Sequence, residues 1–157
     1  MSTPVPTVLA LIHSGDARLS ALKSGIADVQ KGGGILVLVA IADPHDSQSL
    51  GHQLSDRSFV GLKLATEVER LTTQHEGDRL QARLQEARGL AEEAGVTVNV
   101  VFEKGEVLPT LQQIVGRFQP KSAHIPRLPQ RLTDRLLRGD STDTLARSLD
   151  TSVVIAN

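Results

Sequence analysis

The sequence predicts an α/β fold in which a doubly wound parallel sheet carries helices on both faces. Two kinds of segment alternate along its 157 residues. Almost continuously apolar runs, such as Thr7–His13 and Ile35–Ala42, are typical of strands buried on both sides. Between them lie segments with apolar residues at helical spacing, as in Asp16–Lys31. Such helices supply the long crossovers that parallel strands need.

The elements follow one another without a linker, an internal repeat or a low-complexity tract. The glycines at 32–34 end the first helix, Gly95 caps the long helix, and Gly77 is a possible break within it. We therefore expect one domain spanning residues 1–157, with residues 1–6 as a loose N-terminal arm because of Pro4 and Pro6. The predicted elements are strand Thr7–His13, helix Asp16–Lys31, strand Ile35–Ala42, helix Ser58–Ala94, strand Val96–Phe102, helix Val107–Phe118, strand Ser122–Ile125, helix Asp140–Leu149 and strand Ser152–Ala156.

Composition excludes several classes of function. The chain has no cysteine, which excludes disulfides, thiolate metal sites and a cysteine nucleophile. A net charge of −1 and only three aromatic residues argue against nucleic-acid binding. The longest apolar run has eight residues and is too short to cross a bilayer, and the first fifteen residues lack the basic start of a signal peptide. We expect a cytoplasmic protein without membrane insertion.

The most informative segment is a glycine turn that leads into the last predicted helix. Gly139 precedes the hydroxyl side chains of Ser141 and Thr142. Free backbone N–H groups and the helix dipole favour an anion at such a helix start. However, Asp140 places a carboxylate where a phosphate would lie, at a cost of roughly 1 to 4 kcal/mol for each charge pair about 4 Å apart. The sequence predicts an anion site that the chain fills with its own negative charge.

A basic run precedes this turn and has a net charge of +5, because Asp134 is its only acidic residue. If helical, its middle part has an arginine edge beside an apolar stripe. Guanidinium groups hold phosphate or carboxylate well, so one interpretation is an arginine-based anion site. The other, which we favour, is a solvated face with one arginine paired to Asp140. The cations are Arg117, Lys121, Arg127, Arg131, Arg135 and Arg138.

Three other patterns point less directly to chemistry. The glycines at 32–34 lie before a strand rather than after one, so a helix-to-strand turn is favoured over a phosphate loop. His13, Ser14 and Asp16 are the residue types of a hydrolase, but neighbours on a strand point to opposite faces, and Asp16 is better interpreted as the N-cap of the first helix. This turn nevertheless lies at the carboxyl end of a strand, where ligands of such sheets bind.

A polar loop after the second strand contains possible metal ligands. Nothing in their spacing orients them toward one ion, so we predict a solvated loop and no metal site. These residues are Asp43, His45, Asp46, His52 and Asp56.

In the order of its elements the chain resembles the universal stress protein family over nearly its whole length. The resemblance rests on the polar end of the first strand at His13–Asp16 and on the end of the second strand at Ile41–Pro44. It also rests on the closing segment from Leu136–Gly139 to Ser152–Ile155. The resemblance implies a fold like that of the adenine nucleotide alpha hydrolases, with five parallel strands in the order 3-2-1-4-5. It also implies a homodimer through the last strand.

Members of that family that bind ATP carry an acidic residue after the first strand, a Gly-x-x-Gly after the fourth, and then a glycine followed by Ser or Thr. Here His13 occupies the acidic position, residues 125–130 contain no glycine, and Gly139 is followed by Asp140. Glycines let backbone approach a phosphate, whereas proline removes an N–H donor. The resemblance therefore implies a degenerate nucleotide site.

We expect a stress-response or signalling module that acts through an unidentified protein partner, with no enzyme activity and no cofactor. The alternative is a module that binds a small anion or a nucleotide, such as ATP or AMP, with arginines in place of the glycine loop. The candidate ligand pocket comprises His13, Ser14, Ile41, Arg127, Gly139, Asp140, Ser141 and Thr142.

Overall fold

The computed structural model describes residues 5–13, 16–42, 62–127 and 147–156, and within 62–76 it describes the helical backbone only. None of the described helices is both long and apolar enough to cross a membrane. The elements are β1 Thr7–Ile12, α1 Ser20–Gly32, β2 Ile35–Ala42, α2 Leu62–Glu93, β3 Thr97–Lys104, α3 Val107–Phe118, β4 Ser122–Pro126 and β5 Ser152–Ala156.

The five strands form one parallel sheet in the order β3-β2-β1-β4-β5. This confirms the predicted α/β class and strand order. Strands β2 and β3 are added on one side of β1, and β4 and β5 on its other side. The order of the strands therefore switches at β1. In open α/β sheets, ligands bind at the carboxyl ends of the strands beside such a switch point.

Alternate residues of the strands pack into two separate cores, one on each face of the sheet. The face covered by α3 contains the buried residues Leu9, Leu11, Val37, Val39, Ile41, Val107, Leu111, Ile114, Val115, Ala123, Ile125 and Leu149. The face covered by α1 and α2 contains Val8, Ala10, Ile12, Leu19, Leu22, Val29, Leu36, Leu38, Ala40, Leu80, Leu84, Ala87, Ala91 and Val96. Both faces of β1 and β2 are therefore dry, which explains why their sequences are almost wholly apolar.

Several predicted boundaries were wrong. Helix α1 begins at Ser20 rather than at Asp16, because Asp16 starts a turn in which its carbonyl accepts from Leu19 N–H at 3.1 Å. Helix α2 continues through Gly77. A glycine costs about 1 kcal/mol inside a helix, and the buried stripe that follows it on the same helix offsets this. Of the predicted last helix, residues 140–146 lie outside the described residues.

The turn between α1 and β2 is a helix-to-strand connection, as predicted. Gly33 and Gly34 have φ of 76° and 116°, a region that L side chains rarely adopt. A Cβ on Gly34 would lie 2.3 Å from the carbonyl oxygen of Pro6, which also accepts the Ile35 N–H at 2.9 Å. The glycines let α1 return to the amino ends of the strands, away from the edge where ligands of such sheets bind.

Candidate functional site

The loop between β1 and α1 lies at the carboxyl end of the central strand and is organised by Asp16. The Asp16 N–H donates to the His13 carbonyl at 3.1 Å. The Asp16 carboxylate accepts from the Ser20 hydroxyl at 2.5 Å and from the Ala21 N–H at 3.3 Å. The Asp16 carboxylate therefore accepts from a backbone donor in the first turn of α1, but the N-cap position is Leu19, so the predicted assignment of Asp16 as the N-cap was wrong. Ser14 lies outside the described residues.

Arg83 on α2 holds the same loop from the other side. Its Nη2 group donates to the carbonyls of Asp16 at 2.9 Å and Ala17 at 2.6 Å, while Nη1 pairs with Glu86 at 3.1 Å. Sequence reasoning missed this contact. The available signal was the position of Arg83 directly before the buried Leu84, at the margin of the apolar stripe of α2.

His13 and Arg127 both lie at the carboxyl edge of the sheet, after the neighbouring strands β1 and β4. The register between β1 and β4 ends where Ala10 pairs with His124, and His13 and Arg127 directly follow the last residues of these two strands. In contrast, the side chain of Ile41 is buried in the core under α3. The other predicted pocket residues, Ser14, Gly139, Asp140, Ser141 and Thr142, lie outside the described residues, so their contribution stays a prediction.

The backbone at the end of β4 has no N–H group left to bind a ligand at Pro126 and Arg127. Pro126 has no N–H, and the Arg127 N–H donates to the Ala156 carbonyl at 3.3 Å. At the end of β2, the Ala42 carbonyl accepts from the Gly105 N–H at 3.0 Å. Pro126 and Arg127 therefore offer a phosphate no backbone donor. At this strand end, the Arg127 guanidinium is the group that suits an anion.

The described part of the basic run does not form one patch. Lys121 precedes β4 and Arg127 follows it, so the strand separates them by about 20 Å at about 3.3 Å per residue. Arg117 lies in the last turn of α3, with its guanidinium 5.0 Å from the centre of the Phe118 ring. Of these three cations, only Arg127 lies at the carboxyl edge. The other basic residues of the run are outside the described residues.

A buried polar network joins α1 to β4. His124 is 3% exposed. Its Nδ1 lies 2.6 Å from the Ser24 hydroxyl and its Nε2 lies 2.9 Å from Asp28 Oδ2. The Ser122 hydroxyl donates to the same Oδ2 at 2.7 Å, and Lys121 Nζ lies 3.6 Å from Oδ1. Every buried polar side-chain atom among the described residues has a partner.

These contacts keep Asp28 ionised. The hydrogen bond from Ser122, and then that from His124, lower the pKa of the Asp28 carboxyl below its ordinary value, with a further contribution from the charge of Lys121. Sequence reasoning missed the network because its two halves are about a hundred residues apart in the chain. The available signal was that Ser122 and His124 alternate on one face of a strand expected to be buried, where polar side chains need partners.

Comparison with protein-family models gives no match, and neither does comparison with curated proteins. Solved structures do match. UspA from Lactobacillus plantarum superposes with a TM-score of 0.69 at 11% identity, over 99% of this chain and 100% of that one. The chain has the universal stress protein fold. The topology that makes β1 and β4 neighbours, with His13 and Arg127 after their carboxyl ends, is therefore that of the universal stress proteins.

Two further structures with this fold contain nucleotides. A universal stress protein in complex with cAMP has a TM-score of 0.63 at 16% identity, over 99% of this chain and 98% of that one. A universal stress protein family protein from Arabidopsis thaliana with AMP bound has a TM-score of 0.55 at 12% identity, over 96% of this chain and 90% of that one. At these identities the likeness concerns the fold.

Proposed function

We propose that this chain is a divergent universal stress protein: a regulatory stress-response module that acts through protein contacts and has no enzyme activity. We further propose that it does not hold ATP with a glycine phosphate loop. The observation that carries this second part is the end of β4. There Pro126 lacks an N–H, and the Arg127 N–H is bonded to β5, where a phosphate loop would present free donors.

The test is direct measurement of bound nucleotide. Mass analysis of small molecules released from the purified protein is expected to find no stoichiometric ATP or AMP. Calorimetric titration with magnesium ATP is expected to show no saturable binding at micromolar concentrations. Stoichiometric ATP or AMP in the released fraction would contradict the proposal.

A second candidate function is binding of a small anion or nucleotide through a side-chain site. It is supported by the position of His13 and Arg127 after the carboxyl ends of two neighbouring strands, and by the cAMP and AMP held in structures of the same fold. A guanidinium can replace backbone donors because it presents paired N–H groups to a phosphate. In this case AMP binding should weaken as salt is raised.

Arg127→Ala separates the two candidates, with Arg117→Ala as the matched control. Arg117 stacks on Phe118 in the last turn of α3, near the amino ends of the strands, so its loss should leave AMP affinity unchanged. Loss of one charge-assisted phosphate contact should weaken binding about tenfold or more. Binding that is equal in both variants would refute an arginine site at the end of β4.

We also propose a homodimer through β5. It is an edge strand, and its apolar Val154 is 40% exposed. Open edges present unpaired backbone groups that pair readily with a second copy. Val154→Lys should shift sedimentation toward monomer, whereas Leu90→Lys, at a 41% exposed apolar position on α2, should not. A dimer that survives Val154→Lys unchanged would refute this interface.

A further inference from the structure

With Asp28 ionised and the His124 ring neutral, the contacts between α1 and β4 define where the protons lie. Ionised Asp28 can only accept hydrogen bonds, so the His124 nitrogen 2.9 Å away, Nε2, carries the proton. In a neutral ring Nδ1 is then bare. The hydroxyl 2.6 Å from it belongs to Ser24, which must donate its proton to the ring. The half-buried Ser24 thus has its proton directed at a base, and that base is held by a carboxylate.

We propose that Ser24 is a reactive serine that accepts an acyl group from an activated ester, with His124 as the general base and Asp28 as the residue that orients it. A nucleophile in hydrogen-bond contact with a base that a third group orients is the arrangement that activates serine. Ser24 Oγ forms a bond to the ester carbonyl carbon while its proton passes to His124 Nδ1. The bond from that carbon to the leaving oxygen then breaks, and His124 returns the proton to this oxygen, which departs as a phenol or an alcohol.

The product is expected to accumulate rather than turn over. Ser24 lies inside α1, where backbone N–H groups bond within the helix, so the helix itself offers no pair of donors to stabilise an oxyanion. His124 is buried beneath the helix and is poorly placed to activate a water molecule. One acyl group per chain is therefore expected, which distinguishes this reaction from that of a hydrolase.

This site is separate from the part of the candidate pocket that the structure describes. His124 precedes Arg127 by three residues, or about 10 Å along the strand, and its side chain lies under α1 rather than at the carboxyl edge. Acylation of Ser24 would place bulk between α1 and β4. The proposal therefore describes a modification site within the module, and it does not depend on whether the carboxyl edge binds a nucleotide.

The experiment incubates the whole protein with p-nitrophenyl acetate and follows release of p-nitrophenolate together with intact mass and peptide mapping. We expect one acetyl group on Ser24 and one equivalent of phenolate. Ser24→Ala should abolish the labelling. Ser20→Ala should not, although Ser20 lies one turn earlier on the same helix, because its hydroxyl meets a carboxylate and no imidazole.

His124→Gln should slow labelling by about a hundredfold or more, the range expected for loss of a general base. Asp28→Asn should slow it also, because the base is no longer oriented. Should His124→Gln fail to fold by circular dichroism, Asp28→Asn and Ser24→Ala decide the question. Absence of an acetyl group on Ser24, or labelling of Ser24 at an equal rate in folded Asp28→Asn, would overturn the proposal.

Discussion

Replacing Asp28 by alanine tests whether the buried network stabilises the fold. The substitution removes the acceptor of the hydrogen bonds from His124 and Ser122, both of which are buried, and leaves their donors without that partner. A hydrogen bond to a charged group contributes about 1.5–3 kcal/mol. Because the Asp28 side chain is 29% exposed, water can replace part of the loss. We expect the free energy of unfolding to fall by about 2–3 kcal/mol.

The assay is urea unfolding followed by far-ultraviolet circular dichroism, since the chain has no tryptophan or tyrosine to serve as a fluorescent probe. Glu92→Ala is the matched control. It removes a carboxylate that pairs with Arg88 at 3.0 Å on the surface of α2. Exposed helical pairs contribute about 0.3–0.5 kcal/mol. If the two variants lose equal stability, the reasoning about the buried donors is wrong.

The effect of Asp28→Ala should also depend on pH. The folded-state pKa of Asp28 is lowered, so its stabilising effect is complete above the ordinary aspartate pKa of about 3.9 and is lost as pH falls through the folded-state value. The stability difference between the wild type and the variant should therefore be largest near neutrality and shrink in acid. A difference that is unchanged from about pH 7 to about pH 3 would show that the charge of Asp28 plays no part.

Two further predictions concern the loops at opposite ends of the sheet. Gly34→Ala should lower the free energy of unfolding by more than about 2 kcal/mol, because its Cβ would overlap a carbonyl oxygen. Gly33→Ala has open space around the new Cβ and should lower the free energy of unfolding by about 1 kcal/mol. Thermal unfolding of both variants measures the difference. Equal losses would refute the overlap. Arg83→Ala should speed amide hydrogen exchange at Asp16 and Leu19 by about tenfold or more, because the loop loses two charge-assisted hydrogen bonds. Unchanged exchange there would mean that the arginine does not hold the loop.

The sequence predicted the strands well because their burial is expressed locally. The bounds of β2, β5 and α3 were correct, since apolar runs and flanking Gly or Pro residues mark them. The predicted start of α1 was wrong, because the Asp16 carboxylate bonds to the first turn of the helix from across an intervening turn. Local patterns do not encode that geometry.

The candidate site was predicted less well, because pairing across the sheet decides which strand ends are neighbours. His13 and Arg127 were correctly assigned to the ends of strands. The basic run, in contrast, looked continuous in sequence, although β4 places Lys121 and Arg127 at opposite ends of the strand. The partners of His124 depend on the docking of α1 against β4 and cannot be deduced from either segment alone.

Helix α1 is fastened at two points that face different neighbours: its leading loop to α2 through Arg83, and its later turns to β4 through Ser24 and Asp28. A residue inserted between these points would rotate one relative to the other by about 100°, so at least one attachment would be lost. The same insertion near Gly33 would rotate neither. During divergence, this helix should therefore have kept its length while the connections around it changed.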